Sequence, residues 1–291
     1  MLKIDLLNIK MKNPLMVASG VLDLTKSSIE KFRDAGAVVT KSIGKDERKG
    51  YKNPVFVEIE CGILNAIGLA NPGIDTYIKE IRGAKVDNLI GSIFGKNAEE
   101  FLYVAKKFSK YVKAVEMNMS CPHAEKFGAE FPEKEIKNAV EMVKEAGKPV
   151  FVKIGSENAL KRAEWAVEGG ADAIVAINSI KAMAISIEAG KPILGNVFGG
   201  YSGKGIKPIG LRCVYEISKN FDLPVIGVGG ITNARDVIEY MMAGASAVQI
   251  GAGIYYRGER IFKEICRDLK KWLEENGYRR IEDIIGVAIE K

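Results

Sequence analysis

Eight short apolar runs recur along the chain, and each is followed by a segment with a helical pattern of apolar residues. Most runs are continuously apolar, as is typical of parallel strands buried on both faces. The runs are PLMVAS, AVVTKSI, NLIGSIF, AVEMNMS, PVFVKI, AIVAINS, PVIGVGG and AVQIGAG. Eight strand–helix repeats in 291 residues predict a (β/α)8 TIM barrel with a short β extension before Pro14, and a single domain over residues 1–291. An open doubly wound sheet is the alternative, but no run is followed by GxGxxG at the start of a helix.

Composition narrows the class of protein. No apolar stretch approaches the ~18 residues that a membrane span needs. The first residues alternate apolar and charged side chains instead of forming the core of a signal peptide, so we expect a cytoplasmic protein. Basic and acidic residues are interleaved, which indicates a solvated mixed surface and not a nucleic-acid patch. The net charge of +6 modestly favours a small anionic ligand.

The four cysteines are widely spaced, and no two lie within four residues of each other. We therefore expect no structural zinc or iron–sulfur cluster held by this chain alone, and no metal site. Cys213 and Cys266 fall inside helical patterns and are read as small core residues. Cys121 directly follows the fourth apolar run, where either a buried structural thiol or a catalytic one is possible.

Glycines follow the last two apolar runs, at Gly229 and Gly230 and again at Gly251 and Gly253. Either they only form tight turns, or they let backbone N–H groups approach a phosphate, which commonly binds at the last two loops of a barrel. The stretch from Gly199 to Gly205 resembles a phosphate-binding P-loop but lacks its first glycine and its Ser/Thr. We expect it to be a flexible turn over a ligand.

Polar side chains end the other runs. They are Ser19, Lys41, Ser42, Asn118, Lys153, Asn178 and Ser179, with Asn65 and Asn71 on a predicted loop. Catalytic groups of a barrel lie where its strands end. Two lysines converging with several amides predict a pocket for a planar, hydrogen-bonding, partly anionic ligand, and at its mouth Cys121 becomes a plausible general base.

Two helix starts are predicted from capping signals. Asn97 with Glu100 has the spacing of a capping box, and either Thr232 or Asn233 caps the helix that ends before Gly244.

Taken together, the motifs NAIGLANPGID, MNMSCPH, FVKIG, INSI, GGYSGKGIKP, GVGGITNARD and AVQIGAG resemble the class 1 dihydroorotate dehydrogenases, from about Asn13 into the C-terminal helices. The resemblance implies a barrel with FMN at the strand ends that oxidises dihydroorotate to orotate in the synthesis of pyrimidines (UMP). It implies that Cys121 removes a proton from C5 of the substrate while hydride leaves C6 for the flavin. It also implies that the Cys121–Pro132 segment, with Gly128, is a lid.

The resemblance carries further roles over to matching positions. The implied substrate contacts are Lys41, Asn65, Ala66, Ile67, Gly68, Leu69, Asn118, Asn178 and Ser179. The implied flavin contacts are Ser19, Lys41, Ser42, Asn118, Lys153, Ile177, Gly203, Gly229, Gly230, Gly251 and Ala252. Lys41 and Lys153 would stabilise the reduced flavin.

The GGYSGKGIKP motif is most similar to the NAD-linked class 1B type, in which a second subunit carries FAD and an iron–sulfur cluster. A homodimeric core joined to such a partner is therefore implied. The chain departs from the family pattern at His123, where an Asn is usual, at Ser92, and at Lys204 and Gly205. These differences bear on substrate detail and on the electron acceptor.

Two other functions are compatible with parts of the pattern. A related flavin enzyme acting on another dihydropyrimidine would share the asparagines and the thiol. A lyase or isomerase barrel that binds a sugar phosphate without flavin would share only the glycine turns.

Overall fold

Eight parallel strands close into a barrel in the computed structural model, which describes residues 1–21, 25–119 and 132–290. The barrel strands are β1 (Leu15–Val17), β2 (Ala37–Val39), β3 (Leu89–Ile93), β4 (Ala114–Asn118), β5 (Val150–Ile154), β6 (Ala173–Ala176), β7 (Val225–Val228) and β8 (Ala245–Ile250). Each strand pairs in parallel with the next, and β8 pairs with β1 to close the barrel. The (β/α)8 barrel predicted from the eight runs is confirmed.

The helices follow the strands in order. They are α1 (Lys26–Glu30), α2 (Ile74–Ile81), α3 (Ala98–Phe108), α4 (Glu133–Lys144), α5 (Ala159–Glu168), α6 (Lys207–Asn220), α7 (Ala234–Met242), α8 (Ala252–Arg257) and α9 (Ile261–Glu275), with 3-10 turns at Lys204–Ile206 and Ile281–Ile284. Every residue of β3 and β5 is buried, because one face of each strand packs on helices and the other fills the barrel. This burial explains why the runs are continuously apolar.

A hairpin formed by Ile4–Leu6 and Ile9–Met11 closes the N-terminal end of the barrel, as predicted for the segment before Pro14. Asn88, just before β3, donates hydrogen bonds to the carbonyl oxygens of Lys10 (3.0 Å) and Gly36 (2.9 Å). The hairpin therefore covers the end opposite to the loops on which barrel enzymes place their chemistry.

Four further strands form an antiparallel sheet at the C-terminal end, here called the cap sheet. In spatial order they are Ile180–Ala182, Gly199–Ser202, Gly62–Asn65 and Phe56–Ile59. Two come from the connection between β2 and α2, and two from the connection between β6 and α6. Shorter ladders join Glu47–Arg48 to Asn71–Pro72 and Ile185–Ser186 to Lys191–Pro192.

The cap sheet corrects two sequence expectations. Gly199 to Gly205 is not a flexible turn, because Gly199–Ser202 is a strand paired on both sides and a 3-10 turn follows it. Asn65 ends a strand and Asn71 begins one, so neither lies in an irregular loop. The glycine-rich composition concealed strands whose partners are remote in sequence.

The predicted caps hold in part. Asn233 caps α7 and forms a reciprocal capping box with Asp236. Asn97 caps α3, but the Glu100 carboxylate accepts from the backbone N–H of Lys96 (3.0 Å) and not from that of Asn97. The α3 capping box predicted from spacing is therefore only half formed.

The Asp236 carboxylate predicts a pH-dependent contribution to stability. Burial opposes its ionisation, but hydrogen bonds from Lys207 Nζ (2.8 Å) and from the Thr232 N–H (2.8 Å) and hydroxyl (3.0 Å) outweigh that effect and lower its pKa. A lowered folded-state pKa stabilises the protein above the unfolded pKa of ~3.9, and the contribution is lost as pH falls through the folded-state pKa. Asp236→Asn should lower the free energy of unfolding by about 1–3 kcal/mol at pH 7, and by less at pH ~3.

Urea unfolding of the wild type and Asp236→Asn at both pH values measures this effect. Asp5→Asn, at an exposed position of the N-terminal hairpin, is the control and should change little. An equal loss at both pH values would show that the carboxylate's charge is not the cause.

Candidate active site

A cavity of about 720 Å³ opens at the C-terminal ends of the barrel strands, beneath the cap sheet. This volume lies within the range of small-molecule sites. Seventeen residues singled out from the sequence line it: Ser19, Lys41, Ser42, Asn65, Ile67, Gly68, Leu69, Asn118, Lys153, Ile177, Asn178, Ser179, Gly203, Gly229, Gly230, Gly251 and Ala252. The fold thus brings to one place positions that span more than two hundred residues of sequence.

Of the described residues to which the resemblance gives a catalytic, substrate or flavin role, one does not line the cavity. Ala66 is fully buried in a small apolar cluster with Leu64 and Leu194 and is absent from the cavity lining. Cys121 lies outside the described residues, as do His123 and the rest of the predicted lid up to residue 131, including Gly128.

A row of hydrogen-bonded side chains connects four strand ends. Asn178 Nδ2 donates to Asn118 Oδ1 (3.2 Å), and Asn118 Nδ2 donates to Ser42 Oγ (3.2 Å). The Ser42 hydroxyl also contacts those of Ser92 (2.9 Å) and Ser19 (3.2 Å). Ser92 is buried and therefore acts behind Ser42. Because the contacts link the ends of β1, β2, β4 and β6, they set the orientation of the amides of Asn118 and Asn178.

The turn that carries Gly68 and Leu69 is held by polar contacts from outside the cavity. Arg48 Nε donates to Gly68 O (2.6 Å), and Asn71 Nδ2 donates to Leu69 O (2.8 Å). Both turn residues have positive φ, +73° and +56° respectively, which favours glycine at the first. Asn65 is placed beside the turn by the cap sheet, where its side chain donates to Gly200 O (3.3 Å).

The glycine turn after β7 is supported from behind by a buried tyrosine. The Tyr240 hydroxyl donates to Gly229 O (2.8 Å), and its fully buried ring packs where Gly227 and Gly210 leave room. A Cβ atom at Gly227 would lie 2.5 Å from the Tyr240 ring. The packing therefore fixes the backbone of this turn independently of any ligand.

The cavity wall is positively charged. Lys41 and Lys153 line it, and none of its described lining residues is acidic. The charge is suited to a ligand that carries or develops negative charge.

Sequence reasoning missed the apolar part of the wall. Its members include Phe56, Ile63, Ile206, Ile254 and Tyr255. Phe56 and Tyr255 also contact each other, with ring centroids 5.1 Å apart. The alternation in FVEI, followed by Glu60, Cys61 and Gly62, is a hairpin signal that could have indicated the strands bearing Phe56 and Ile63.

The remaining described cysteines have no part in the cavity lining. Cys213 is buried in α6 and Cys266 is partly buried in α9, and burial raises the pKa of both thiols, that of Cys266 to about 11. The prediction that Cys213 and Cys266 are structural residues agrees with these positions. Cys61 is exposed at a turn of the cap sheet.

Over residues 1–21, 25–119 and 132–290, no cluster of His, Cys, Asp or Glu side chains has a metal-binding arrangement. Within the same ranges, none of the helices combines the length and apolar character that crossing a bilayer requires.

Comparison with known proteins gives a consistent result. The family model described as dihydroorotate dehydrogenase matches residues 1–273. The chain is 46% identical to the "Dihydroorotate dehydrogenase B (NAD(+)), catalytic subunit" of Pyrococcus abyssi, over 99% of both chains. It is 47% identical to the protein of that name from Methanocaldococcus jannaschii, over 100% of this chain and 99% of the relative.

A third relative with the same name, from Methanosarcina acetivorans, is 43% identical over 98% of this chain and 96% of its own length. The similarity thus covers the barrel, the cap sheet and the segments that line the cavity. The chain belongs to the dihydroorotate dehydrogenase family.

Proposed function

We propose that this chain is the catalytic subunit of an NAD-linked dihydroorotate dehydrogenase, oxidising dihydroorotate to orotate for pyrimidine synthesis with FMN as its bound cofactor. The observation that carries the proposal is the cavity, where cations, amides and glycine turns lie together at the strand ends. It occurs in a chain that is similar over its whole length to catalytic subunits of dihydroorotate dehydrogenase B.

The residues of the cavity fit FMN. Gly229 and Gly230 follow β7, Gly251 follows β8, and Gly203 lies beside them, so an anionic phosphate could approach the backbone closely at this end. A Cβ atom at Gly251 would lie 3.5 Å from that of Ala18 and would narrow the cavity. At the other end, Lys153 and the serine row offer donors to a polar heterocycle.

The substrate would be held by the amides and by Lys41. Asn65, Asn118 and Asn178 each present a donor and an acceptor, which suits the alternating C=O and N–H groups of a dihydropyrimidine ring. The ammonium of Lys41 would pair with the substrate carboxylate. Contacts on several sides of the ring hold its C5–H and C6–H bonds in one orientation, which is the positioning contribution to catalysis.

Cys121 would act as the general base. Its thiolate takes the proton from C5, the electron pair of that C–H bond forms the C5=C6 double bond of orotate, and the C6 hydrogen leaves as hydride. FMN, when bound, supplies the acceptor for that hydride. Lys41 and Lys153 would offset the negative charge that develops on this side of the cavity.

The electrons would leave through a partner protein. The cysteine spacing gives this chain no arrangement that would hold an iron–sulfur cluster by itself. We therefore propose a homodimeric core bound to a subunit that carries FAD and such a cluster. Cytoplasmic localisation stays a prediction from the sequence.

The purified chain tests the proposal directly. Denaturation should release FMN, identified by its absorption spectrum and mass. The intact protein should reduce an artificial dye with dihydroorotate but should not reduce NAD until the partner is added. A colourless protein would favour a lyase or isomerase barrel, and equal turnover of dihydrouracil would favour another dihydropyrimidine as substrate. NAD reduction by the homogeneous chain would contradict the need for a partner.

A further inference from the structure

Three buried polar side chains meet inside the barrel below the cavity. Glu116 on β4 and Gln249 on β8 are fully buried, and Lys153 on β5 is only 5% exposed. Of the three, only Lys153 lines the cavity. Gln249 and Glu116 therefore do not contact a ligand in that cavity. They can affect such a ligand through Lys153.

Gln249 bridges the two charged groups. Lys153 Nζ donates to Gln249 Oε1 (3.1 Å), and Gln249 Nε2 donates to Glu116 Oε2. The second carboxylate oxygen, Oε1, lies 3.5 Å from Lys153 Nζ and makes no hydrogen bond to any described residue. The ammonium is thus attracted by the carboxylate, but its position is set by the amide.

This arrangement is costly for stability alone. Removing an ammonium and a carboxylate from water carries a large desolvation penalty, and well-packed apolar side chains of similar size often serve a protein interior better. What the three side chains provide is a cation held in one place, because the ammonium of Lys153 faces the cavity.

We propose that Gln249 and Glu116 are positioning residues for Lys153: Gln249 fixes where the ammonium lies in the cavity wall, and Glu116 offsets part of its charge. The proposal rests on FMN being the cofactor, as proposed above. It predicts that Gln249, although neutral and out of contact with the cavity, affects FMN binding only while Lys153 is present.

The test compares Gln249→Met in two backgrounds, the wild type and the variant Glu116→Gln/Lys153→Met. The second background removes both buried charges together and so avoids leaving one of them unpaired. The readouts are the dissociation constant of FMN for the apoprotein and the midpoint potential of the bound flavin. In the wild type, Gln249→Met should weaken FMN binding by about tenfold, the effect of losing one hydrogen bond to a charged group. In the charge-free background the change should be below about twofold.

Val152→Ala is the matched control. Val152 is fully buried next to Lys153 on β5, but its side chain points to the opposite face of the strand. The variant should lower thermal stability and leave the FMN dissociation constant and the midpoint potential unchanged. A purely structural role of Gln249 would make Gln249→Met weaken binding equally in both backgrounds, and that result would overturn the proposal.

Glu116→Gln tests the charge offset separately. With the carboxylate charge removed, the Lys153 ammonium should favour electron uptake more strongly, so the midpoint potential should rise. An unchanged potential would remove Glu116 from the proposal. If the wild type itself fails to bind FMN, the proposed function falls and takes this inference with it. If only the variants fail to respond, the inference falls alone.

Discussion

Replacing Cys121 with serine is expected to lower turnover of dihydroorotate near neutral pH by about 10²–10⁴-fold, the usual contribution of a general base. A thiol with an unperturbed pKa of ~8.5 can supply thiolate at neutral pH when positive charge is close, whereas a serine hydroxyl stays protonated. The serine side chain is nearly the same size, so FMN and orotate should still bind. Steady-state dye reduction and orotate titration of the flavin spectrum measure the two effects separately.

Cys61→Ser is the matched control, because this thiol is exposed at a turn of the cap sheet. It should turn over at the wild-type rate. Wild-type turnover by Cys121→Ser would refute the assignment of the base. Loss of orotate binding together with turnover would instead indicate that Cys121 holds the substrate.

Replacing Gly230 with alanine is expected to weaken FMN binding by about a hundredfold, equivalent to ~2.7 kcal/mol. Gly230 has a φ of +69°, and a left-handed conformation costs a non-glycine residue about 1–2 kcal/mol. The added Cβ would also lie 2.7 Å from Lys207 Cβ and 2.9 Å from Gly203 O, contacts that cost about 1–3 kcal/mol more. The added methyl group therefore displaces the backbone at Gly230 from the position that the packing gives it in the wild type, and phosphate binding requires that position. Isothermal titration of the apoprotein with FMN measures the loss.

Gly170→Ala separates backbone strain from crowding. Gly170 has a φ of +86°, a Cβ atom there would meet no atom within 4 Å, and the residue does not line the cavity. It should lose about 1–2 kcal/mol of stability and keep its affinity for FMN. Equal FMN affinity of Gly230→Ala and the wild type would place the phosphate elsewhere in the cavity.

Local patterns in the chain were sufficient to predict the barrel. The residues of β5 are apolar on both faces except at Lys153, and Asn233 caps α7 with its own neighbours, so both features depend on contacts close in sequence. The candidate site residues were also recognisable, because strand ends in a barrel converge by rule and because several motifs resemble one family.

The long-range pairing that completes the cap sheet and the buried group below the cavity could not be predicted in this way. Asn65 pairs with Gly200 across 135 residues, and Gln249 meets Glu116 across 133. Nothing in the sequence around one partner indicates the other. A glutamate within an apolar run cannot be assigned a role until the side chains around it are known.

The order of apolar runs and turns alone determined that this protein is a barrel with a polar C-terminal mouth, since strand burial and turn formation depend on neighbouring residues. Only the tertiary structure decided which amides face the cavity, which lysine is held by Gln249 and Glu116, and which segments pair to form the cap sheet. Those features depend on side chains that become neighbours only after the barrel has closed.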